Sequence, residues 1–437
     1  MKKDKRYILA GFLSSFAFML LVLAPDGLQA QSSEDDSVVT RLESLKKFEE
    51  VLSTIQYRYV DEVDFENVIN KAIDGLLTNL DAHSDFMSKD EFSNFQTKMS
   101  GEFGGLGIVV GLRDGALTVI SPIDDTPASK AGVKAGDIIL KIGKKNTLDI
   151  GLNEAVSLMR GEPGSDLKLT LVRKSKKEPL VVNITRDIIN VDSVETKKIE
   201  GGYAYVKLKS FDKHAASGVA QALQDFQESK GIILDLRNNP GGDLFQAIDV
   251  ADLFIDEGVI VSQKGKIQSE NIEYEAKSVG TYTDVPVVVL VNEGSASASE
   301  IVSGALQDHK RAIVVGKSTF GKGSVQQILE LGNGEAIRLT VARYYLPSGR
   351  TIQAVGIEPD VVVDDGNITR GDDKFTVKER DLKLHLKSQL EKTQTAEDKA
   401  KEDSSDDTIT AAQLYDDAQL KTAVDILKSM IIMRGRD

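Results

Sequence analysis

Residues 292–326 read NEGSASASEIVSGALQDHKRAIVVGKSTFGKGSVQ, and they directly follow the apolar run Val285–Val291. The apolar run predicts a buried strand, Ala296–His309 predicts a helix, and Ala312–Val315 predicts a second buried strand. The same alternation extends over residues 195–365. It predicts a layered α/β sheet whose functional loops follow the carboxyl ends of the strands.

Three serines stand at the predicted start of the helix in this stretch. Ser295, Ser297 and Ser299 alternate with small residues, directly after the turn Glu293-Gly294. A tight turn there can present a hydroxyl, and the free N–H groups of a helix start favour developing negative charge. Helix capping is the structural alternative for one of the serines, but it does not require three.

A lysine and a glycine turn offer the other parts of a hydrolytic site. Lys322 lies between Gly321 and Gly323, and an apolar pocket would favour its neutral form, which could accept a proton from a serine. A solvated loop lysine is the alternative. The turn Asn239-Pro240-Gly241-Gly242 could supply N–H groups to an oxyanion, or be an ordinary turn.

The composition excludes several other chemistries. The chain has no cysteine and only 4 histidines, which are scattered, so neither a thiol nucleophile nor a metal site is expected. Its net charge of −14 argues against a nucleic-acid partner, which would require a basic face. The match of 316–322 to G-x-x-x-x-G-K is discounted, because Gly323 stands where a nucleotide-binding loop needs Ser or Thr. We therefore expect no cofactor and no metal.

The first thirty residues form a targeting segment. Four basic residues within positions 2–6 precede an apolar run over 8–24, and Ala30 offers a small-residue cleavage site. This pattern predicts a signal peptide over 1–30. The run is also just long enough to leave open an uncleaved membrane anchor at 8–24. Either alternative predicts an exported protein of the periplasm or cell envelope.

Helical regions are predicted on both sides of the central part of the chain. Residues 38–99 contain two amphipathic helices whose apolar stripes pack internally or against a second copy, forming a homo-oligomer. Residues 366–437 predict an acidic linker around two helices, at about 379–392 and 409–432. The predicted fold class is therefore multidomain α/β, with a helical N-terminal and a helical C-terminal region.

Residues 101–186 resemble a PDZ domain, a small β-barrel-like fold with helices. The resemblance rests on GEFGGLGI at 101–108, on the TPA, AG and GD groups of 126–137, and on a late helix near 152–160. It implies that Gly105, Leu106, Gly107 and Ile108 receive the terminal carboxylate of a peptide while a strand edge pairs with its backbone. Binding of an internal partner segment is the alternative.

The whole pattern resembles the carboxyl-terminal processing peptidases, exported Ser-Lys endopeptidases that carry a PDZ domain. Besides 292–326, the matching motifs are GEFGGLGI, SLMRGEPGS at 157–165 and LDLRNNPGG at 234–242. The resemblance covers about 40–365, with the peptidase core at 195–365. It implies cleavage of proteins or peptides with apolar C-termini, and it leaves room for a regulatory adaptor. A catalytically inactive PDZ scaffold is the rival interpretation.

The resemblance also implies the role of single residues. Ser297 would be the nucleophile, Lys322 the general base and Gln326 the residue that orients the lysine. Backbone N–H groups of Ala298 and of Gly241 or Gly242 would form the oxyanion hole.

Two further positions are implied with alternatives. Asp308 matches an aspartate that is sometimes counted with the catalytic set, but a structural role at the end of a helix is an equal alternative. Arg160, in the SLMRG match, is a candidate for coupling the PDZ domain to the catalytic site by gating.

Overall fold

The computed structural model describes residues 26–113, 115–123, 125–176, 178–278, 280–368 and 408–435. The predicted targeting segment, up to residue 25, and the helix predicted near 379–392 lie outside the described residues. Within the described part, no helix combines the length and the apolar character needed to cross a bilayer. The chain divides into two compact units, Met1–Ala82 and His83–Asp437.

The first unit contains the helices α1 (Asp26–Arg58) and α2 (Phe65–Thr78). Asp64 begins α2 by accepting a hydrogen bond from the Asn67 amide, which satisfies one of the free N–H groups at the helix start. On α1, the predicted apolar stripe is exposed at Leu42, Leu45 and Phe48. This surface is apolar and accessible in the single chain.

The second unit begins with a connecting segment and continues with a small antiparallel sheet. The connecting elements are β1 (Asp85–Met87), α3 (Lys89–Ser100) and β2 (Glu102–Gly105). The sheet and its helices comprise β3 (Ile108–Arg113), β4 (Ala116–Pro122), α4 (Pro127–Lys130), β5 (Ile138–Ile142), β6 (Lys145–Asn146), α5 (Leu152–Met159), β7 (Asp166–Val172) and β8 (Leu180–Thr185). The strand order is β3-β4-β5-β7-β8, with β6 on β5, around an apolar core of its own.

A two-stranded ribbon carries the chain into and out of this small domain. Strand β9 (Asp187–Asn190) pairs antiparallel with β2, and the pairing runs from Glu102 opposite Asn190 to Gly105 opposite Asp187. The Glu102 carboxylate contacts Lys213 at 2.5 Å and His214 at 3.0 Å. Glu102 therefore links the ribbon to the large core that follows, through Lys213 and His214.

The large core alternates strands and helices, as predicted. Its elements are β10 (Val194–Ile199), β11 (Tyr203–Leu208), α6 (Ala215–Asp225), β12 (Ile232–Asp235), α7 (Leu244–Asp252), β13 (Val259–Gly265), β14 (Ile272–Glu275), β15 (Val287–Val291), α8 (Ala298–Asp308), β16 (Ala312–Gly316), β17 (Ser324–Gly332), β18 (Glu335–Tyr345), β19 (Val361–Val362), β20 (Thr408–Ile409) and α9 (Ala418–Arg434). Together with the small domain, they confirm the predicted multidomain α/β class.

The main sheet has seven strands in the order β19-β16-β15-β12-β11-β10-β20, and it is parallel from β11 to β19. Its central strands β12 and β15 are buried at every residue, because helices cover both faces. One face carries α6, α7 and α8, and the other carries α9. A second sheet contains β1, β18, β13 and β14, with β17 paired to β18.

Candidate active site

Three loops meet at one edge of the main sheet. They follow β12, β15 and β16, which are adjacent parallel strands, so their carboxyl ends lie side by side. The first loop carries Gly241 and Gly242, the second carries Ser297, and the third carries Lys322. Ligand sites of open α/β sheets form at this edge.

Ser297 has a strained backbone at the start of α8. Its φ of 55° and ψ of −111° place a residue with a side chain at positive φ, which is uncommon and costs on the order of 1–3 kcal/mol at such sites. The Ser297 amide donates to Glu300 Oε2 at 2.7 Å, and its carbonyl accepts from the Glu300 and Ile301 amides. The side chain is half-buried at the edge of the sheet.

The other two serines of the triplet hold the neighbouring loop. The Ser295 hydroxyl donates to the Leu236 carbonyl at 2.7 Å, and the Ser299 hydroxyl donates to the Asn239 carbonyl at 2.9 Å. Both serines are fully buried. Two of the three serines therefore have a structural role, and Ser297 is the remaining candidate for chemistry.

Glu300 joins the Ser297 loop to the Lys322 loop. Its carboxylate is fully buried and accepts four hydrogen bonds. The donors are the Thr319 hydroxyl at 2.5 Å, the Gly321 amide at 2.6 Å, the Lys322 amide at 2.9 Å and the Ser297 amide at 2.7 Å. Sequence reasoning missed this residue. The S-x-x-E spacing from Ser297 is a capping-box signal, which indicates a helix start but not a link between two loops.

Lys322 lies in a setting that favours its neutral form. Burial lowers the pKa of Lys322 below its ordinary value, the positive charge of Arg338 lowers it further, and Asp85 and Glu300 oppose the shift. The side chain is half-buried. A neutral amine at this position can accept a proton, which a protonated lysine cannot.

Gln326 lies on β17, four residues beyond the lysine. Its amide nitrogen donates to the Ser324 hydroxyl at 2.6 Å, and Thr340 lies opposite on β18. These contacts fix the side chain and leave the amide oxygen as the atom suited to accept a hydrogen bond from a lysine.

The glycine turn packs directly against Ser297. A Cβ at Gly241 would lie 2.9 Å from the Ser297 Cβ, and φ at Gly241 is 98°. The Gly241 amide donates to Asn239 Oδ1 at 2.9 Å, so the predicted role of this amide as an oxyanion donor is not supported. Among the described residues, no backbone or side-chain acceptor binds the Gly242 or Ala298 amide, so these two amides are the candidate oxyanion donors.

Asp308 lies at the far end of α8, about 16 Å from Ser297 along the helix axis at about 1.5 Å per residue. Its carboxylate pairs with Arg350 at 2.9 Å and accepts from the Ser348 amide at 3.0 Å. The geometry therefore does not bring Asp308 to the other site residues. It favours the structural alternative.

The predicted peptide-binding loop lines a small cavity of about 100 Å³. Its walls are Phe103, Leu106, Gly107, Ile108, Val156, Met159 and Arg160. Gly105 does not line the cavity, because it pairs in the ribbon. The Arg160 guanidinium lies 4.9 Å from the centre of the Phe103 ring and donates to Asn94 Oδ1 at 3.3 Å. Arg160 thus joins the cavity to helix α3.

Comparison with known proteins identifies the parts of the chain. Residues 202–363 match Peptidase family S41, residues 104–184 match a PDZ domain, and residues 8–91 match the N-terminal domain of the activating protease CtpB. A carboxy-terminal-processing protease of Bartonella bacilliformis is 44% identical over 373 residues, which are 83% of this chain and 85% of that protein.

Two further relatives are more distant. A probable CtpA-like serine protease of Staphylococcus epidermidis is 36% identical over 73% of this chain and 65% of its own length. The solved photosystem II D1 C-terminal processing protease is 28% identical over 72% of this chain and 92% of that chain, with a TM-score of 0.42.

These findings confirm the family that the motifs predicted. The chain belongs to peptidase family S41 and, within it, to the carboxy-terminal-processing proteases, which makes it a serine-type peptidase with a PDZ domain.

Proposed function

We propose that this peptidase cleaves its substrates with a Ser297–Lys322 dyad. The observation that carries the proposal is the buried Glu300 carboxylate, which binds the backbone amides of both residues at once. It fixes the two loops relative to each other. The lowered pKa of Lys322, caused first by burial, supports its role as the base.

In this mechanism, neutral Lys322 accepts the proton of Ser297 as the hydroxyl attacks a peptide carbonyl. The amides of Gly242 and Ala298 stabilise the oxyanion, and the amide oxygen of Gln326 orients the lysine. The lysinium then protonates the leaving amine. Water finally hydrolyses the acyl-enzyme.

The test is cleavage of an unfolded protein by purified variants, with fragments identified by mass spectrometry. Ser297→Ala and Lys322→Ala should each abolish cleavage while circular dichroism stays unchanged. A matched control is Lys317→Ala, because Lys317 lies on the same loop but pairs with Glu293 and Asp365 on the surface. Cleavage by Ser297→Ala at the wild-type rate would overturn the dyad.

The PDZ cavity is proposed to bind the apolar C-terminus of the substrate. Its walls are mostly apolar, its volume suits one small side chain, and the Leu106–Ile108 backbone can receive a carboxylate. A peptide ending in alanine should bind, and the same peptide with an amidated C-terminus should not. Equal binding of both peptides would favour an internal segment as the ligand.

The rival function is a PDZ scaffold that binds without cleaving. Ser297, Lys322 and Gln326 are all present, which favours the enzyme. Saturable binding of a substrate without fragments would favour the scaffold.

An adaptor with an apolar C-terminus is proposed to compete with the substrate for the PDZ cavity.

Export and self-association complete the proposal. The basic and apolar start of the chain supports export to the periplasm or cell envelope, and a mature N-terminus near residue 31 would establish cleavage of the signal peptide.

The exposed stripe of Leu42, Leu45 and Phe48 supports a homo-oligomer through the helical region. Leu45→Asp should shift the mass in light scattering towards the monomer.

A further inference from the structure

The C-terminal helix α9 is part of the large core. Leu420, Ala423, Val424 and Leu427 are buried against Val288 and its neighbours on the main sheet. The helix thereby covers the sheet face opposite α6, α7 and α8. Its first turn lies beside the loop that follows β12.

A partly buried polar network links this first turn to Arg237. The Arg237 guanidinium contacts Asp235 Oδ2 at 2.7 Å and Asp417 Oδ2 at 2.9 Å. A second nitrogen donates to Asp417 Oδ1 at 3.1 Å and to Gln419 Oε1 at 2.9 Å. Tyr205 donates to the same Asp235 at 2.7 Å. Arg237 is therefore held on one side by Asp235 at the end of β12 and on the other by the start of the C-terminal helix.

The members of the network are also fixed individually. Asp417 caps α9 by accepting from the Leu420 amide at 2.9 Å, and Gln419 donates to the Val363 carbonyl at 2.9 Å. Asp235 is fully buried and Gln419 is 1% exposed. Burial raises the pKa of Asp417, but the hydrogen bonds from Arg237 and the Leu420 amide outweigh it and hold the pKa below its usual range. The network therefore contains a charged Asp417 at neutral pH.

Arg237 lies two residues before Asn239–Gly242, the glycine turn that would form part of the oxyanion hole (the oxyanion turn). Asn238 follows with a φ of 58°, and its amide donates to Asn292 Oδ1 at 2.8 Å. Asn239 then supplies the acceptor for the Gly241 amide. A shift of Arg237 would pass along four residues to Gly242, the candidate oxyanion donor.

We propose that Asp417 and Gln419 of the C-terminal helix are positioning residues for the oxyanion turn and act on it through Arg237. This inference rests on the proposed Ser297–Lys322 mechanism. It gives α9 a role in the rate of the chemical step in addition to covering the sheet. The physical reason is that oxyanion stabilisation depends on donors held in place before the charge develops.

The main test is Asp417→Asn, because asparagine caps a helix as well as aspartate does but removes the negative charge from Arg237. Active sites are counted with a fluorophosphonate that labels the reactive serine. We expect kcat per labelled site to fall about tenfold with KM unchanged, as for a slightly misplaced catalytic group. The matched control is Asp64→Asn, which makes the same change at the cap of α2 and should leave kcat unchanged.

A peptide aldehyde separates positioning from simple stability, since it forms a tetrahedral adduct that resembles the transition state. Its affinity for Asp417→Asn should fall by the same factor as kcat/KM. An unchanged kcat and aldehyde affinity per labelled site, with only a lower melting temperature, would overturn the proposal. Gln419→Met provides a second variant if Asp417→Asn does not fold, and it is expected to lower kcat in the same way.

A double-mutant cycle tests the route through Arg237. In an Arg237→Lys background, Asp417→Asn should have little further effect on kcat, because coupled residues are not additive. Additive losses would overturn the route. If the Ser297→Ala variant cleaves like wild type, the dyad itself fails. If cleavage depends on Ser297 but Asp417→Asn and Gln419→Met match wild type, only the positioning role fails.

Discussion

Two glycine-containing turns of this protein are built differently: the PDZ loop, Gly105–Ile108, and the proposed oxyanion turn, Asn239–Gly242. In the PDZ loop, φ at Gly107 is 77° and a Cβ there would lie 2.3 Å from the Thr126 side chain. In the oxyanion turn, a Cβ at Gly241 would lie 2.7 Å from the Ala296 carbonyl oxygen. Both positions therefore require glycine.

The difference lies in what fastens each turn. The PDZ loop is held mainly by backbone groups, since the Gly107 and Leu106 carbonyls accept from the Ile123 and Ala128 amides, with one side-chain contact from the Thr126 hydroxyl to the Gly107 carbonyl at 3.2 Å. The oxyanion turn is held by hydrogen bonds from buried side chains, among them Ser295, Ser299 and Asn239. A loop that adds a peptide strand needs only its own backbone in place. A loop that must stabilise a transient charge loses rate when it is slightly displaced, and side-chain ties prevent this.

The largest effect on kcat is expected at Glu300, whose carboxylate accepts hydrogen bonds from both the Ser297 loop and the Lys322 loop. Glu300→Gln replaces one acceptor oxygen with an NH₂ group that faces N–H donors, so the Ser297 and Lys322 loops should separate. We expect kcat to fall by at least about 10²-fold, the cost of a misplaced catalytic group. The matched control is Glu91→Gln, since Glu91 has the same capping-box position in α3 and its carboxylate accepts from the amide and hydroxyl of Ser88 at its own helix start. Wild-type kcat in Glu300→Gln would contradict the view that side-chain ties set the rate.

Substitution of Gly241 and of Gly107 should affect different kinetic parameters, kcat in the first case and substrate binding in the second. Gly241→Ala should lower kcat about tenfold or more, because the Cβ would push against the Ser297 loop. Gly107→Ala should weaken binding of C-terminal peptides and raise KM for protein substrates, while kcat on a short peptide stays unchanged. Both variants are measured with a protein substrate and a short peptide. The same kinetic change in both variants would show that the turns are not functionally distinct.

A smaller effect is expected on the pH dependence. In the proposed mechanism only neutral Lys322 accepts the proton, so kcat/KM should rise with pH as the lysine loses its proton. Burial and then Arg338 lower the pKa of Lys322, whereas Asp85 raises it. Arg338→Met should therefore move the rise to higher pH, and Asp85→Asn should move it to lower pH. Arg343→Met, on the same strand β18, is the control and should leave the profile in place.

The sequence predicted the positions of both turns, because strand periodicity and glycine spacing are local properties. It also predicted that Ser297 and Lys322 lie on loops at one edge of the sheet. It could not predict Glu300 as the link between them, since S-x-x-E has an ordinary explanation in helix capping. The contact of α9 with Arg237 could not be predicted either, because Asp417 and Arg237 are 180 residues apart. Contacts between such distant residues follow from the tertiary fold and not from any pattern along the chain.

The smallest effect on kcat is expected from removing one side-chain hydrogen bond at each turn. This comparison distinguishes the two turns most directly. Ser299→Ala leaves the Asn239 carbonyl without its hydroxyl donor, and Thr126→Val does the same to the Ile123 carbonyl beside the PDZ loop. Each should lower the free energy of unfolding by about 0.5–1.5 kcal/mol, the net contribution of one hydrogen bond, because the Asn239 carbonyl, for example, keeps the Ala296 amide as a donor. Only Ser299→Ala should also lower kcat, by a few-fold, because its tie holds the oxyanion turn. Thermal unfolding and kcat on a short peptide measure both effects. If Ser299→Ala loses stability without any loss of kcat, the buried hydrogen bonds of the oxyanion turn serve folding alone, as is expected of the Thr126 hydroxyl at the PDZ loop.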